Sequence, residues 1–369
     1  MGNIVGIVGL GTMGLGIAQV FAQSGCTVLA TDAMPQARAT ARERLIVNLA
    51  PRVAKGAMTE AEQAAILSRL IVVEGPQDMG PAELVIEAVV EDLTIKRALM
   101  AALERAVSAS AVIATNTSSL PVFDIALGAS RPERVLGLHF FNPAPVMKLV
   151  ELVPHRSTAP EALALARRLA EAGGKVVIDA PDRPGFIVNR CARPFYGEAL
   201  ALVEEGRSPS EIDAAMVGAG YRLGPFALID LIGADINLAA TKGLSGAMDG
   251  HPRYHVFDRL KAQVASGDLG RKTGRGFVHP AEPVPAPADA EAIAERIEST
   301  LVNEARWLLA EGGTTRKGID TALKLGLNFP RGPFEIEALR GADRIDQRLA
   351  ELEAKAPAVL KGRYLSPTA

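Results

Sequence analysis

The sequence is poor in cysteine and histidine, carries almost no net charge and contains no long apolar run. Its 369 residues include two cysteines, Cys26 and Cys191. They stand far apart and outside any C-x-x-C spacing, which excludes a disulfide framework and a zinc site of the usual pattern, and leaves two buried thiols as the expectation. With 40 basic and 42 acidic residues the formal charge is −2. No global field therefore draws the chain to nucleic acid or a membrane surface, and an anionic ligand has to be met by local groups. No apolar stretch approaches the roughly 18 residues of a membrane span. The opening "NIVGIVGLG" lacks a basic leader and a small-residue cleavage site, so a soluble cytoplasmic protein is the expectation.

What is present falls into three regimes. From Asn3 to about Asp179, the apolar runs "IVGIVG", "TVLATD", "LIVV", "LVIEAV", "AVIATN", "RVLGLHF" and "KVVID" alternate with helical patterns. Continuous Val/Ile/Leu-rich runs separated by helices predict an α/β unit, a doubly wound parallel sheet of Rossmann type covered on both faces. From Pro184 to about Pro280 the strand signal gives way to helices. The stretch "HPAEPVPAPADA", residues 279–290, reads as an extended linker before further helices. The helical stretches repeat one another: "EALALVEEGRSPSEIDAAMVGAGYRLGPF" from Glu198 matches "EARWLLAEGGTTRKGIDTALKLGLNFPRGPF" from Glu304. The offset is 106 at Glu198/Glu304, 107 at Asp213/Asp320 and 108 at Gly224/Gly332. The expected domains are 1–183, then two repeated all-α domains at 184–282 and 283–369.

The first chemistry lies in "VGIVGLGTMGLGIAQVFAQSG", where Gly9, Gly11 and Gly14 stand in G-x-G-x-x-G order between a strand and a helix. The first glycine permits the turn, the second lets a pyrophosphate approach the backbone, and the third lets helix pack on strand. Asp32 ends the next strand, where a carboxylate accepts hydrogen bonds from an adenosine ribose. Its charge repels a 2′-phosphate, and Ala33, Met34 and Pro35 offer no arginine to receive one. NAD is expected over NADP.

Of the five histidines, His139 alone sits near the carboxyl end of a predicted sheet strand, the edge where open α/β sheets bind ligands. A neutral imidazole there is placed to take a hydroxyl proton, and Glu151, in the strand-like "MKLVELV", is placed to orient it. Taken alone, a histidine in an apolar strand such as His139 is more often a satisfied core residue. His155 and His279 are expected in solvent. His251 and His255 have an i,i+4 spacing that Pro252 interrupts, with no third ligand in view, so no metal is expected.

Two further stretches, "ATNTSSLPV" (114–122) and "DRPGFIVNRCARPFYGEA" (182–199), change the balance; the second is expected to carry Asn189 and Arg190 onto the first turns of a long helix. With them the sequence resembles the (S)-3-hydroxyacyl-CoA dehydrogenase family. The pieces "GLGTMGLGIA", "IEAVVEDLTIK", "TNTSSL", "GLHFFNPAPVMKLVE", "RPGFIVNR", "GAGYRLGPFALIDLIG" and "GRKTGRGF" carry the likeness over most of residues 3–278. The resemblance implies reversible oxidation of a 3-hydroxyacyl-CoA with NAD. It implies His139 as base, Glu151 as its partner, and Ser118 and Asn189 contacting the reacting hydroxyl and the thioester end. It also implies NAD contacts at Gly9, Gly11, Thr12, Met13, Gly14, Asp32, Glu91, Lys96, Asn116 and Asn142. Glu91 and Lys96 read otherwise as an exposed helix start. Arg52 and Lys55 fall where the family meets the CoA phosphates, or form an ordinary solvated face.

The chain also departs from the family. Shorter members have one helical unit and dimerise through it, whereas this chain has two. The second lacks a P-G-F-I-V entry, and the counterparts of Asn189 and Arg190 in it are Glu295 and Arg296. It is expected to be non-catalytic and to form a pseudo-dimer within one chain, leaving a monomer or a weak homodimer. With no hydratase-like region before the glycine motif, a single activity is expected. "GRGFV" replaces the family's aromatic-rich ending, and 3-hydroxybutyryl-CoA and 3-hydroxyadipyl-CoA both remain open as substrates. The alternatives are a hydroxyacid or sugar-acid dehydrogenase that does not use CoA, and a catalytically idle relative.

Overall fold

The apolar runs of the first regime become strands of one eight-stranded sheet. In chain order its elements are β1 (Ile4–Val8), α1 (Thr12–Gln23), β2 (Thr27–Thr31), α2 (Pro35–Ala54), α3 (Glu60–Arg69), β3 (Leu70–Val72), β4 (Leu84–Glu87), α4 (Leu93–Ala106), β5 (Val112–Thr115), α5 (Val122–Ala126), β6 (Val135–Phe140), β7 (Leu149–Val153), α6 (Pro160–Ala172) and β8 (Val176–Asp179). The computed structural model describes residues 2–282 and 284–367, divided into two compact units, Met1–Arg183 and Pro184–Ala369. Residue 283, at which the second helical domain was expected to begin, lies outside the described residues, as do 1, 368 and 369.

Strand order is β3-β2-β1-β4-β5-β6-β7-β8. The order reverses between β1 and β4, and open α/β sheets bind ligands at the carboxyl ends of strands flanking such a switch. Alternate residues of each strand enter different cores. Val5 and Ile7 join Leu84, Ile86, Val112 and Ala114 under α1 and α2, while Val8, Val85 and Ile113 pack with Met100 and Leu103 of α4. That two-sided burial is why the strands read as unbroken apolar runs.

The sheet is not wholly parallel, which corrects the sequence reading. Strands β1 to β6 are parallel, β7 runs antiparallel to β6, and β8 runs parallel to β7. The connection 141–148 is shorter than the dozen or so residues a parallel crossover needs, so the chain turns straight back.

The second unit is helical: α7 (Val188–Cys191), α8 (Arg193–Glu204), α9 (Pro209–Gly218), α10 (Pro225–Ile232), α11 (Ala234–Ala247), α12 (Asp258–Ala265), α13 (Ala290–Ala310), α14 (Arg316–Leu327), α15 (Pro333–Arg340) and α16 (Ala342–Lys355). The long helix expected from Asn189 breaks at Ala192. Pro194 has no N–H to return to the Arg190 carbonyl, and Phe195 N–H donates to Ala192 O instead, at 3.1 Å. Helix α13 packs against α7, α8, α9, α15 and α16.

Charged contacts within this unit are reciprocal. Arg190 donates Nε to Glu304 (2.7 Å) and its terminal nitrogens to Glu311 (2.7 and 2.6 Å). Arg296, 106 residues on, donates Nε to Glu198 (2.7 Å) and its terminal nitrogens to Glu205 (2.6 and 2.7 Å). Each acceptor also stands 106 residues from its counterpart. The buried Glu304 accepts further from Arg253 Nε (3.0 Å) and the Tyr254 hydroxyl (2.5 Å). The buried Glu198 accepts likewise from Arg363 Nε (3.1 Å) and the Tyr364 hydroxyl (3.0 Å). The two capping aspartates correspond as well: Asp213 accepts from Phe226 and Ala227 N–H at the start of α10, and Asp320 from Phe334 N–H at the start of α15.

Candidate active site

At the β1–β4 switch the glycine loop divides its tasks. Gly9 has φ +97° and passes so close to β4 that a Cβ would lie 2.5 Å from the Ala88 carbonyl oxygen. A Cβ on Gly14 would meet Gly9 O at 1.7 Å, whereas one on Gly11 would meet nothing within 4 Å. The turn and the helix packing therefore need glycine at the outer positions, and the space over Gly11 is open. Helix α1 begins at Thr12 with Gly11 as N-cap, no side-chain cap and no acidic residue in its first turn. Its amide groups and dipole suit a phosphate, and the residues present fit a dinucleotide.

Asp32 accepts from Leu10 N–H (2.6 Å) through one oxygen and from Met34 N–H (2.8 Å) through the other. It thus ties the glycine loop to the end of β2. An arginine does reach this edge, from beyond the three residues first considered. Arg38 of α2 donates to the Asp32 carbonyl (2.7 Å) and pairs with Glu74 (3.2 Å).

The antiparallel return sets the second half of the site. In the β6–β7 register His139 stands directly opposite Glu151. Side chains so opposed share one face of the sheet within about 5 Å, and His139 Nδ1 lies 2.7 Å from Glu151 Oε2. The two side chains are 8% and 0% exposed. An Nδ1–H donated to this carboxylate leaves the basic lone pair on Nε2. Asn116, just past β5, accepts from Phe140 N–H through Oδ1 (2.8 Å) and so ties the 116–119 loop to the end of β6.

That loop is held by a network, exposed at Glu91 and buried at Lys96 and Glu87, that the sequence only partly signalled. Glu91 accepts from the Thr117 hydroxyl, from Ser118 N–H (3.1 Å), and from Ser119 N–H (3.2 Å) and hydroxyl (2.9 Å). Burial pushes its carboxyl up, but the bonds from Thr117, Ser119 and Ser118 together with Lys96 outweigh this and hold it below the usual carboxylate range. Lys96 is not part of an exposed helix start. Its side chain is 1% exposed, and its ammonium is clamped by both oxygens of the buried Glu87 (2.7 and 2.9 Å) and by Glu91 (3.3 Å). Glu87, which also accepts from the Thr115 hydroxyl, was missed, although a lone carboxylate in the apolar run "LVIEAV" is itself a signal.

The remaining expected residues are spread more widely. Ser118 and Asn142 lie in exposed loops, and Arg52 and Lys55 are exposed at the end of α2. Arg52 lines a cavity of about 430 Å³ with Gln23, Met58, Glu62 and Arg69. In the second unit Asn189 lies on α7, with its carbonyl accepting from Arg193 Nε (3.0 Å), and Glu295 accepts from Arg344 (2.6 and 2.9 Å). His155, expected in solvent, is buried: Nε2 faces the Pro132 carbonyl (3.0 Å), Nδ1 accepts from Ser157 N–H (3.2 Å), and burial lowers its pKa. His279 is half-buried, its N–H given to Asp230 (2.9 Å). His251 accepts from Arg253 N–H (3.2 Å), and among the described residues no group of His, Cys, Asp or Glu has the arrangement of a metal site. No described helix is long and apolar enough to cross a membrane.

A dinucleotide cradle on the same sheet edge as a carboxylate-oriented imidazole is the equipment of an NAD-dependent dehydrogenase. Comparison with known proteins narrows the class. Residues 4–183 match the NAD binding domain of 3-hydroxyacyl-CoA dehydrogenase, and residues 185–279 and 293–364 match its C-terminal domain. The chain belongs to the 3-hydroxyacyl-CoA dehydrogenase family, with NAD as cofactor. It is 43% identical over 274 residues to 3-hydroxyadipyl-CoA dehydrogenase of Escherichia coli K12, a match covering 74% of this chain and 58% of that protein. It is 38% identical over 273 residues to a probable 3-hydroxybutyryl-CoA dehydrogenase of Bacillus subtilis, covering 73% of this chain and 95% of the relative. The crystal structure of 3-hydroxybutyryl-CoA dehydrogenase from Escherichia coli K12 superposes with a TM-score of 0.92 at 31% identity, covering 100% of this chain and 97% of that one.

Proposed function

We propose that the chain catalyses the reversible, NAD-dependent oxidation of an (S)-3-hydroxyacyl-CoA to the 3-oxoacyl-CoA. The observation that carries this reading is the buried His139–Glu151 pair at the carboxyl edge of the sheet. Bound NAD supplies the hydride acceptor. His139 Nε2 takes the hydroxyl proton as the carbon–oxygen double bond forms, and Glu151 stabilises the resulting imidazolium. Ser118 and Asn189 are assigned, on the family likeness, to the hydroxyl and the thioester end, and Arg52 and Lys55 to the CoA phosphates. The cofactor contacts are Gly9, Gly11, Thr12, Met13, Gly14, Asp32, Glu91, Asn116 and Asn142, with Lys96 acting through Glu91. NADH formation from a chain-length series of (S)-3-hydroxyacyl-CoA thioesters tests the reading; no turnover of any member overturns it.

The helical unit is read as two copies of one ancestral module. The reciprocal Arg190–Glu304 and Arg296–Glu198 pairs support this, because a two-fold interface makes each contact twice. The second copy then takes the place of a partner subunit, giving a monomer or a weak homodimer with one active site per chain. Two buried free thiols suit a reducing compartment, and the cytoplasm is the proposed location.

A further inference from the structure

Where β4 leads into α4, one buried ammonium faces two carboxylates. Glu87 is the last residue of β4 and Lys96 lies on α4, with side chains 0% and 1% exposed, while Glu91 stands between them in the chain and is exposed. Glu87 meets only donors: Lys96 Nζ at both oxygens (2.7 and 2.9 Å), the Thr115 hydroxyl at Oε1 and Val89 N–H at Oε2 (3.1 Å). Thr115 in turn accepts from Thr117 N–H (3.2 Å), so its own proton points to Glu87. A carboxyl proton on Glu87 would find no acceptor, and the group is a carboxylate. Burial opposes ionisation of Glu91, but its bonds from Thr117 and Ser119 and the Lys96 charge keep it ionised as well. Among the described residues no second cation pairs with either carboxylate, so the group carries one net negative charge. Arg167 also meets two carboxylates, Glu171 and Asp179, but those three lie at the surface beside β8.

The place of this charge on the sheet gives it a use. Asp32 at the end of β2 marks the adenosine side of the crevice, and the start of α1 marks the pyrophosphate. The nicotinamide half of a dinucleotide therefore extends to the other side of the switch, over the ends of β4 and β5. Glu87 and Thr115 are the last residues of those two strands and stand opposite each other in register. The oxidised nicotinamide ring carries a positive charge and the dihydronicotinamide carries none, while the remainder of the cofactor is the same. A fixed negative charge at this edge thus favours the oxidised form. Glu151 on β7 adds a carboxylate, but its charge is offset once His139 takes the substrate proton. The charge shared by Glu87, Lys96 and Glu91 stays the same throughout. Packing alone does not account for it, because a buried ion pair stabilises a fold little compared with apolar residues of the same size, and here the ammonium has a second carboxylate as well.

We propose that Glu87 is a positioning residue which, together with Lys96 and Glu91, gives the cofactor site a fixed net negative charge and so biases it toward the oxidised nicotinamide. This requires NAD as the cofactor and does not depend on the role given to His139. Calorimetric titration with NAD, NADH and ADP-ribose tests it, because ADP-ribose has the adenosine and both phosphates but no nicotinamide. Glu87→Gln is expected to weaken NAD about tenfold relative to NADH, equivalent to a rise of about 30 mV in the potential of the bound couple, with ADP-ribose affinity unchanged. Glu91→Gln is expected to shift the ratio in the same direction. Glu87→Asp keeps the charge and is expected to leave the ratio near that of wild type, whatever both affinities do. Equal weakening of NAD and NADH in E87Q and E91Q, or a ratio in E87D shifted as far as in E87Q, overturns the proposal. Should E87Q lose ADP-ribose binding, its fold is disturbed and E91Q decides: a ratio shifted toward NADH supports the proposal and an unchanged one overturns it. Wild-type protein that binds ADP-ribose but neither NAD nor NADH sinks the cofactor assignment instead.

Discussion

Substitution of Glu151 by glutamine isolates the electrostatic part of the proposed mechanism. Glutamine is isosteric and still hydrogen-bonds His139 Nδ1, so the pair's geometry is kept while its charge is removed. The carboxylate oxygen lies 2.7 Å from Nδ1, with both side chains almost fully enclosed. Taking about 4 Å between charge centres and an effective dielectric of about 20, the carboxylate stabilises the imidazolium by about 4 kcal/mol. At ~1.4 kcal/mol per factor of ten, kcat is expected to fall on the order of a thousandfold. NAD affinity, read by titration in the absence of substrate, is expected to change little, because the substitution lies away from the glycine loop. His139→Gln removes the base itself, with an expected loss of about 10² to 10⁴ in kcat. The double variant is expected to be little worse than the worse single one, since the two residues act as a unit. Folded E151Q protein that keeps kcat within about tenfold of wild type would refute the role given to Glu151, and near-normal turnover of H139Q would return His139 to a packing role.

Further outcomes follow from other parts of the molecule. NAD is expected to exceed NADP in kcat/KM by at least about tenfold; Asp32→Ala is expected to shrink that ratio, since the like charge is lost while Arg38 remains at the same edge, and equal use of both cofactors by wild type would remove Asp32 from the argument. Glu198→Gln and Glu304→Gln each leave buried arginine charge uncompensated and are expected to cost similar amounts, about 3 to 5 kcal/mol, or roughly 6 to 20 °C in Tm; calorimetry showing one cost large and the other negligible would contradict the equivalence of the two copies. Burial alone would raise the Glu198 carboxyl, but Arg363 and Arg296 prevail and hold it below the usual range. Because its folded pKa lies below the unfolded one, this stabilisation is full above the unfolded value of about 4.3 and is lost as pH falls, so wild-type Tm is expected to drop more steeply than that of E198Q in acid. Deletion of residues 284–369 is expected to expose the apolar face of the first helical copy and give a true dimer or aggregation by light scattering; a soluble, fully active monomer would show that the second copy does not act as the partner.

The local sequence was informative wherever a single element sets the outcome. Unbroken Val/Ile/Leu runs reported two-sided burial, and Gly9 and Gly14 reported a turn and a helix contact that admit no Cβ. Pro194 carried the signal for the break in the expected long helix, because a missing N–H is a property of the residue itself. The 106-residue offset at Glu198 and Glu304 could be seen in the chain, whereas the matching contacts of Arg253 and Tyr254 with Glu304 and of Arg363 and Tyr364 with Glu198, at an offset of 110, could not.

What depended on contacts distant in sequence had to await the tertiary structure. His139 and Glu151 could be nominated from the chain, yet their approach follows from an antiparallel register that the short 141–148 turn imposes on an otherwise parallel sheet. Lys96 looked like a surface charge at a helix start until Glu87, from the neighbouring strand, was seen to enclose its ammonium. Backbone preference and burial pattern are local properties written in residue type and spacing, whereas the pairing of charges is decided by which elements the fold brings together.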